Sequence, residues 1–415
     1  MIVVAEQPAI DLVEALGAAG AFPIVEAKWS DAPRAFVAVK PAALVIAEPG
    51  PPPSESAARM LCMQIATVNG PIVPTVALAH SNVEAAIPTA LTVDAGLPVE
   101  RVVARLQSAM RVRALHATAL RRIEVSAAHG RTMPPLPIDD ALHDATVLIA
   151  GRGPLYPALS VAMGERIKTI GALSVETAAR HLNARDVDGI VVGDGFSPRM
   201  VEAFLTVLAQ DNRFRDIPVA VIGEAPTDFS ESLTNIDHVD GDPARIVSRM
   251  VPLVRMHAFE ARLKRMLKSL DANGMLDPET GLLTRDAFWR DLDKTVADAA
   301  DCSQALSIAR YAIEGTMDLR AGLDGARLVP RLIRNIDFAC RDDDGSVLVA
   351  FTQTDLRSAH VVARRIAAAL KNTLLTFHRT HDKATVHVTL ATLKNGDTLA
   401  SLLQRVMGSR MVAAE

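Results

Sequence analysis

The sequence predicts an α/β chain: two doubly wound parallel-sheet domains of the flavodoxin-like kind, followed by an α+β domain. Three observations lead there. Short β-branched runs alternate with amphipathic stretches, the alternation occurs twice in succession, and the last third mixes helices with strands around an Asp-Gly turn. In the first repeat the expected strands are Ile2–Val4, Phe22–Val25, Ala43–Ala47, Ile72–Leu78 and Ala90–Val93. In the second they are Thr146–Ala150, Ile167–Ile170, Gly189–Val192, Ile217–Ile222 and a weaker Ile236–Val239. Continuous apolar strands separated by helical segments imply parallel sheets covered on both faces. A duplication of this length is too long for a solenoid repeat.

Linkers follow from composition. Pro51–Pro53 is expected to be a loop, since consecutive prolines suit neither a central strand nor a helix interior. Gly130–Pro137, with Pro134, Pro135 and Pro137, marks a boundary. Arg249–Leu270 reads as one amphipathic connector helix, with Pro252 placed in its first turn. A third unit then begins near Asp271–Gly274. Its expected helices are Arg285–Ala299, Ala326–Arg334 and Leu356–Lys371, beside strands Ala305–Ile308, Val347–Phe351 and Thr385–Ala391. Helices next to an antiparallel sheet make it α+β. The domains are thus 1–128, 143–258 and 271–415.

Composition narrows the function classes. Of 415 residues 49% are hydrophobic but only 4% aromatic, so the cores must be aliphatic. Lys+Arg 44 against Asp+Glu 48 leaves a net charge of -4, with no global footprint for DNA or an anionic membrane. No apolar run reaches the ~20 residues of a membrane span, so no membrane insertion is expected. Met1–Gln7 contains Glu6 and lacks a basic segment, which suits a strand and not a signal peptide. Cys62, Cys302 and Cys340 are odd in number and lack ligand spacing, against both a disulfide framework and a metal site. A cytoplasmic location is expected.

The five-strand alternation of both repeats resembles response-regulator receiver domains. The resemblance implies an acidic pair after the first strand for Mg²⁺, a phosphoacceptor Asp after the third and a Lys after the fifth. The metal and Lys would neutralise charge on the transferred phosphoryl group. In the first repeat a single acid, Glu6, follows strand one, Glu48 occupies the phosphoacceptor position and Ala95 the Lys position. In the second, Gly151-Arg152 follows strand one, Asp194 comes one residue late, and Val239 stands near the Lys position. Neither repeat is expected to be switched by phosphorylation; both are read as docking and dimerisation folds.

Asp277–Phe288 resembles the D-x-L-T-G-L-x-N-R-x-x-F entry of GGDEF domains, the diguanylate cyclase family. Asp277, Thr280-Gly281-Leu282, Arg285 and Phe288 match, while Glu279 and Thr284 depart. By the same resemblance Asp343-Asp344-Gly345-Ser346-Val347 stands where Gly-Gly-Asp/Glu-Glu-Phe is expected. Side chains replace the glycines that allow close backbone approach, and the catalytic acids become Gly345 and Ser346. The other metal carboxylate, expected after Ala305–Ile308, reads Ala309. Cyclase activity is therefore not expected, and no metal either: Asp342–Asp344 is more simply a solvated turn.

Arg334-x-x-Asp337 precedes that degenerate motif and resembles the I-site for cyclic di-GMP, with Arg365 matching a further I-site arginine. Arg bonds bidentately to guanine O6/N7 or stacks on the base, and Asp accepts from the N1–H and N2–H edge. The plainer reading is one helical turn carrying a surface ion pair, worth under ~1 kcal/mol. The resemblance extends to receiver–receiver–GGDEF paralogues of the diguanylate cyclase PleD that have lost catalysis. It implies a dimeric cyclic di-GMP effector at a cell pole, acting with RcdA to bring CtrA to the ClpXP protease. A ligand-independent scaffold is the alternative. His378, His381 and His387 lie close in sequence but suit surface polarity, and Gly151-Arg152-Gly153 lacks a phosphate-loop fingerprint.

Overall fold

The computed structural model describes residues 1–47, 54–79, 87–128, 140–223, 229, 231–239, 241–272, 275–314, 319–377 and 385–408. Pro51–Pro53, Glu48, Gly130–Pro137, His378 and His381 lie outside the described residues. The chain divides into two compact units, Met1–His116 with Pro137–Leu263, and Ala117–Leu136 with Lys264–Glu415.

The first unit holds two five-stranded parallel sheets. One contains β1 (Ile2–Val4), β2 (Val25–Ala27), β3 (Leu44–Ile46), β4 (Thr75–Ala79) and β5 (Leu91–Asp94), in the order β2-β1-β3-β4-β5. The other contains β6 (Thr146–Ala150), β7 (Lys168–Ala172), β8 (Gly189–Val192), β9 (Val219–Ile222) and β10 (Ile236–Val239), in the order β10-β9-β8-β6-β7. Read from its far edge this is the same order, that of flavodoxin-like folds. Helices cover both faces of the first sheet. Val3 and Val45 pack toward Leu12, Leu16 and Leu106, while Ile2, Val4, Leu44 and Ile46 pack toward Trp29, Phe36 and Leu61. That double coverage is why β1 and β3 are apolar at every position.

Two expectations need correction. The second strand is Val25–Ala27 and not Phe22–Val25, because Pro23 supplies no N–H to a ladder. Pro252 is not in a first turn: the helix runs Pro243–Ala272, so Pro243 opens it and Pro252 lies in its interior. The apolar stripe Ile246, Met250, Val254 and Ala258 continues upstream of Arg249 and carries the helix back with it.

Two ion pairs, one buried and one partly exposed, join the two sheets. After β5 the chain forms α4 (Val99–Ala128), following α1 (Ile10–Ala18), α2 (Ala32–Val39) and α3 (Glu55–Ala66). The second sheet carries α5 (Leu155–Gly164), α6 (Val175–Ala184), α7 (Pro198–Gln210) and α8 (Pro243–Ala272). Arg105 of α4 donates to Asp237 of β10 from both terminal guanidinium nitrogens, Nη2 at 2.6 Å and Nη1 at 3.3 Å. Reciprocally, Arg249 of α8 reaches Asp94 at the end of β5, with Nη1 2.7 Å from Oδ2. Leu253 of α8 joins the apolar cluster of the first sheet. Each final helix thus locks onto the final strand of the other half.

The second unit is built on an antiparallel sheet of β11 (Leu306–Glu314), β12 (Phe338–Arg341), β13 (Val347–Thr352) and β14 (Thr385–Thr392), ordered β12-β13-β11-β14. Its helices are α9 (Arg285–Asp301), α10 (Leu319–Leu332), α11 (Leu356–Phe377) and α12 (Leu399–Met407). Phe288, Leu292 and Val296 of α9 and Leu402 of α12 share one core with Leu348 and Ala350; Ala326, Val329, Ala363 and Ile366 share the other with Val347, Val349 and Phe351. The expected strand Ala305–Ile308 continues to Glu314, so Ala309 is a buried strand residue and not a strand-end position.

The end of α4 also belongs to this unit. Arg121 and Arg122 both bond to Asp291 of α9, Nε to Oδ1 at 2.7 Å and Nε to Oδ2 at 3.4 Å. All three side chains are buried. Arg121 also lies over the Phe338 ring, 5.7 Å from its centroid.

Candidate functional site

The Asp277–Phe288 segment folds as a turn that leads into α9. Asp277 organises it: its carboxylate accepts from Thr280 Oγ1 at 2.6 Å and from the Glu279 N–H at 3.1 Å. Gly281 sits at φ +70, a conformation costly for residues with a Cβ. Thr284 then caps α9, its hydroxyl accepting from the Ala287 N–H, and Phe288 is buried in the core. Leu283 bridges to Leu276 and to Cys340 of β12. The motif is thus structural, and its loop lies against the strand that follows Asp337.

Arg334 and Asp337 do not form a helical turn. α10 ends at Leu332, and Arg334–Asp337 is a tight turn closed by the Asp337 N–H donating to the Arg334 carbonyl at 3.0 Å. The Asp337 carboxylate is held by main chain: Oδ2 accepts from the Arg334 N–H at 3.1 Å and Oδ1 from the Thr352 N–H at 3.0 Å. The surface ion pair of the plainer reading is therefore not what orders this turn. Burial pushes the Asp337 carboxyl up to about 6, against the pull of those N–H bonds and of the Arg334 charge. Each carboxylate oxygen keeps acceptor capacity beyond its one main-chain bond. Arg334 itself is exposed.

A cavity of about 290 Å³ opens beside this turn. Arg334, Asp337 and Phe338 line it, with Gly281, Leu282 and Leu283 of the motif loop and Arg122, Lys264 and Lys268 of the two long helices. No sequence motif marks the last three. The available signals were the Arg121-Arg122 doublet on an apolar helix and the four-residue spacing of Lys264 and Lys268. Arg365 is brought close but not into the lining: its Nη2 donates to the Leu332 carbonyl at 3.1 Å, at the C-terminus of α10. A cation there suits the helix dipole.

The Asp342–Ser346 hairpin closes on itself. Gly345, at φ +81, donates its N–H to the Asp342 carbonyl, and Val347 pairs with Arg341. Arg285 Nε bonds to Asp342 at 2.8 Å and lies 3.4 Å from Asp343. Arg310 bonds to Asp344 at 2.5 Å and to Ser346 Oγ at 3.2 Å. Burial works to raise the Asp344 carboxyl, but hydrogen bonds from Ser346 and Arg310 hold it below its ordinary value. Val347 and Ala309 are buried in the sheet. Among the described residues no cluster of His, Cys, Asp or Glu could hold a metal ion.

The positions at which the sequence resemblance places receiver chemistry are held by other contacts, although Asp194 Oδ1 is buried without a hydrogen-bond partner. The Asp194 carbonyl accepts from the Arg152 and Gly153 N–H groups, and its carboxylate accepts from the Leu155 N–H at 3.4 Å. A Cβ on Gly153 would meet the Asp194 carboxyl at 2.2 Å, so that glycine makes room for it. Val239 is a buried strand residue. Glu6 accepts from the Trp29 N–H at 3.2 Å.

No family model and no curated protein matches the chain. Among solved structures it is similar to the coiled coil and GGDEF domain of DgcB from Caulobacter crescentus in complex with c-di-GMP, at 18% identity and a TM-score of 0.29, covering 36% of this chain and 85% of that one. It is also similar to the FimX GGDEF domain from Pseudomonas aeruginosa, at 19% identity and TM-score 0.28, covering 32% and 89%. The active GGEEF domain of a diguanylate cyclase from Vibrio cholerae gives 19% identity and TM-score 0.28, covering 32% and 90%. At these identities and TM-scores the likenesses bring no ligand or activity to this chain. No described helix is long and apolar enough to cross a membrane.

Proposed function

We propose that this chain is a catalytically inactive receptor for cyclic di-GMP. In this reading 1–128 and 143–258 are receiver-like domains without phosphotransfer and 271–415 is a GGDEF domain without its active site. The observation that carries the proposal is the cavity beside the Arg334–Asp337 turn. Its lining offers a guanidinium for guanine O6/N7 and a buried carboxylate for the N1–H and N2–H edge. Its volume is near the lower limit of ligand pockets, so it encloses part of a dinucleotide while the rest lies over the exposed rim that carries Arg334. Arg365, beside Leu332, would meet that outer part. The hairpin speaks against catalysis: its carboxylates are engaged by Arg285 and Arg310, and Ala309 offers no metal ligand. Incubation with GTP and Mg²⁺ should yield no cyclic di-GMP; turnover would overturn this part of the proposal.

The architecture resembles that of PopA, which suggests a homodimeric adaptor for RcdA, CtrA and the ClpXP protease, at a cell pole. A ligand-independent scaffold is the second reading. It is favoured by the structural employment of Asp337 in the turn and of Arg365 at the end of α10. Calorimetric titration of cyclic di-GMP into wild type and Arg334→Ala separates the two. Binding at micromolar or tighter concentration, weakened at least about tenfold in the variant by loss of a charge-assisted bond, supports the receptor. Absence of binding in the wild type supports the scaffold.

The proposal also fixes a pH dependence. Asp337 must be ionised to accept both guanine protons, and its carboxyl titrates at about 6. Affinity should therefore fall as pH drops from 7 to 5. Stability should move the other way. The raised carboxyl binds a proton in the folded chain between its ordinary value of 3.8 and about 6, where the unfolded chain has already lost it. Acidification through that window thus adds stability at this site while removing affinity. Affinity unchanged between pH 7 and 5 would contradict the assigned role of Asp337.

A further inference from the structure

The cavity lining carries more positive charge than recognition of a guanine edge requires. Arg334 and Asp337 supply that edge pair by themselves. The lining adds Arg122 from α4 and Lys264 and Lys268 from α8, giving four basic side chains beside one carboxyl. Lys264 and Lys268 are spaced to lie on one face of α8, one turn apart. Arg122 is buried and oriented by Asp291, which also holds Arg121. Arg121 in turn lies over Phe338, itself a lining residue, and its Nη2 is buried with no hydrogen-bond partner. Cations clustered in a concave site raise its potential and gather anions. A neutral base gains less from that field than an anionic phosphodiester oxygen, which forms charge-assisted hydrogen bonds.

We infer that Lys264, Lys268 and Arg122 seat a phosphodiester of the cyclic dinucleotide whose guanine edge meets Arg334 and Asp337. This rests on the receptor reading above and assigns it a second set of contacts. The ends of both long helices then belong to the binding site. Residues 117–128 and 264–272 are fastened by the ligand to the Gly281–Leu283 loop and to the start of β12. Bound ligand should therefore slow amide exchange in those two helix ends, because opening them would release it.

The test is calorimetric titration of cyclic di-GMP into the full chain at low and at physiological salt. The variants are the double substitution Lys264→Ala/Lys268→Ala, the double substitution Lys264→Arg/Lys268→Arg, and Arg334→Ala. Arg122 is left alone because its bond to Asp291 supports the fold. The double alanine variant should bind about tenfold or more weakly and lose most of the salt dependence seen in the wild type. The arginine version, keeping both charges, should stay close to wild type. Wild-type affinity and salt dependence in the double alanine variant, together with a defect in Arg334→Ala, would overturn the phosphate seat and leave the receptor reading standing. No binding by the wild type would overturn both. Hydrogen exchange gives an independent check: a wild type that binds but shows no added protection in 117–128 and 264–272 contradicts the inference even if the lysine variants unfold.

Discussion

Asp291→Ala lowers the stability of the chain by about 3–5 kcal/mol, the scale of breaking a buried ion pair by removing one partner. The reason lies in what is left behind. Arg121 and Arg122 are both buried and both bond to this carboxylate, so its removal takes the common partner from two desolvated guanidinium groups. Leu292, beside it on α9, is core, which limits how far the helix can move to let water in. Urea unfolding monitored by circular dichroism measures the loss. Replacing the triad together by Met, Met and Leu should recover most of it, since a well-packed apolar set needs no desolvated charge. A loss under about 1 kcal/mol for Asp291→Ala would mean that water reaches the pair and that the burial argument is wrong.

Arg105→Ala has an effect of similar size, about 3–5 kcal/mol, in the first unit. Arg105 and Asp237 are 2% and 5% exposed, and the bidentate geometry leaves the carboxylate no partner of equal strength once the guanidinium is gone. The pair is also half of a reciprocal arrangement with Arg249 and Asp94, whose Asp is a third exposed. Water can therefore reach Asp94 after Arg249→Ala but cannot easily reach Asp237 after Arg105→Ala. The first substitution should cost clearly less than the second. A double-mutant cycle between Arg105 and Asp237 should return a coupling of roughly 0.5–3 kcal/mol; near-additive losses would show that the two residues act independently.

The parallel sheets were legible because their central strands are buried on both faces. Thr146–Ala150, Gly189–Val192 and Ile236–Val239 stand where the apolar runs placed them. Phe22–Val25 misled because Phe22 is a large apolar residue, yet it is exposed and the ladder begins only after Pro23. Phe338–Arg341 is legible only as a strand-like run leading into the Asp-Gly turn, since four residues following a turn carry too little periodicity to set its bounds. At the site, the Arg334 and Asp337 positions were visible through a motif, but the turn was not. Nothing in R-x-x-D says that the carboxylate is anchored by the Thr352 N–H from another strand. Lys264, Lys268 and Arg122 were invisible as a group because they come from separate helices and meet only when those helices reach β12. The reciprocal bridges between the two parallel sheets were hidden for the same reason: each joins residues more than a hundred positions apart.

The most direct test of the receptor account is a crystal structure of the full chain with cyclic di-GMP. The account predicts one guanine edge against Arg334 and Asp337, with a phosphodiester turned toward Lys264 and Lys268. Ligand density at the Asp342–Ser346 hairpin instead, or an empty cavity at saturating ligand, would contradict it.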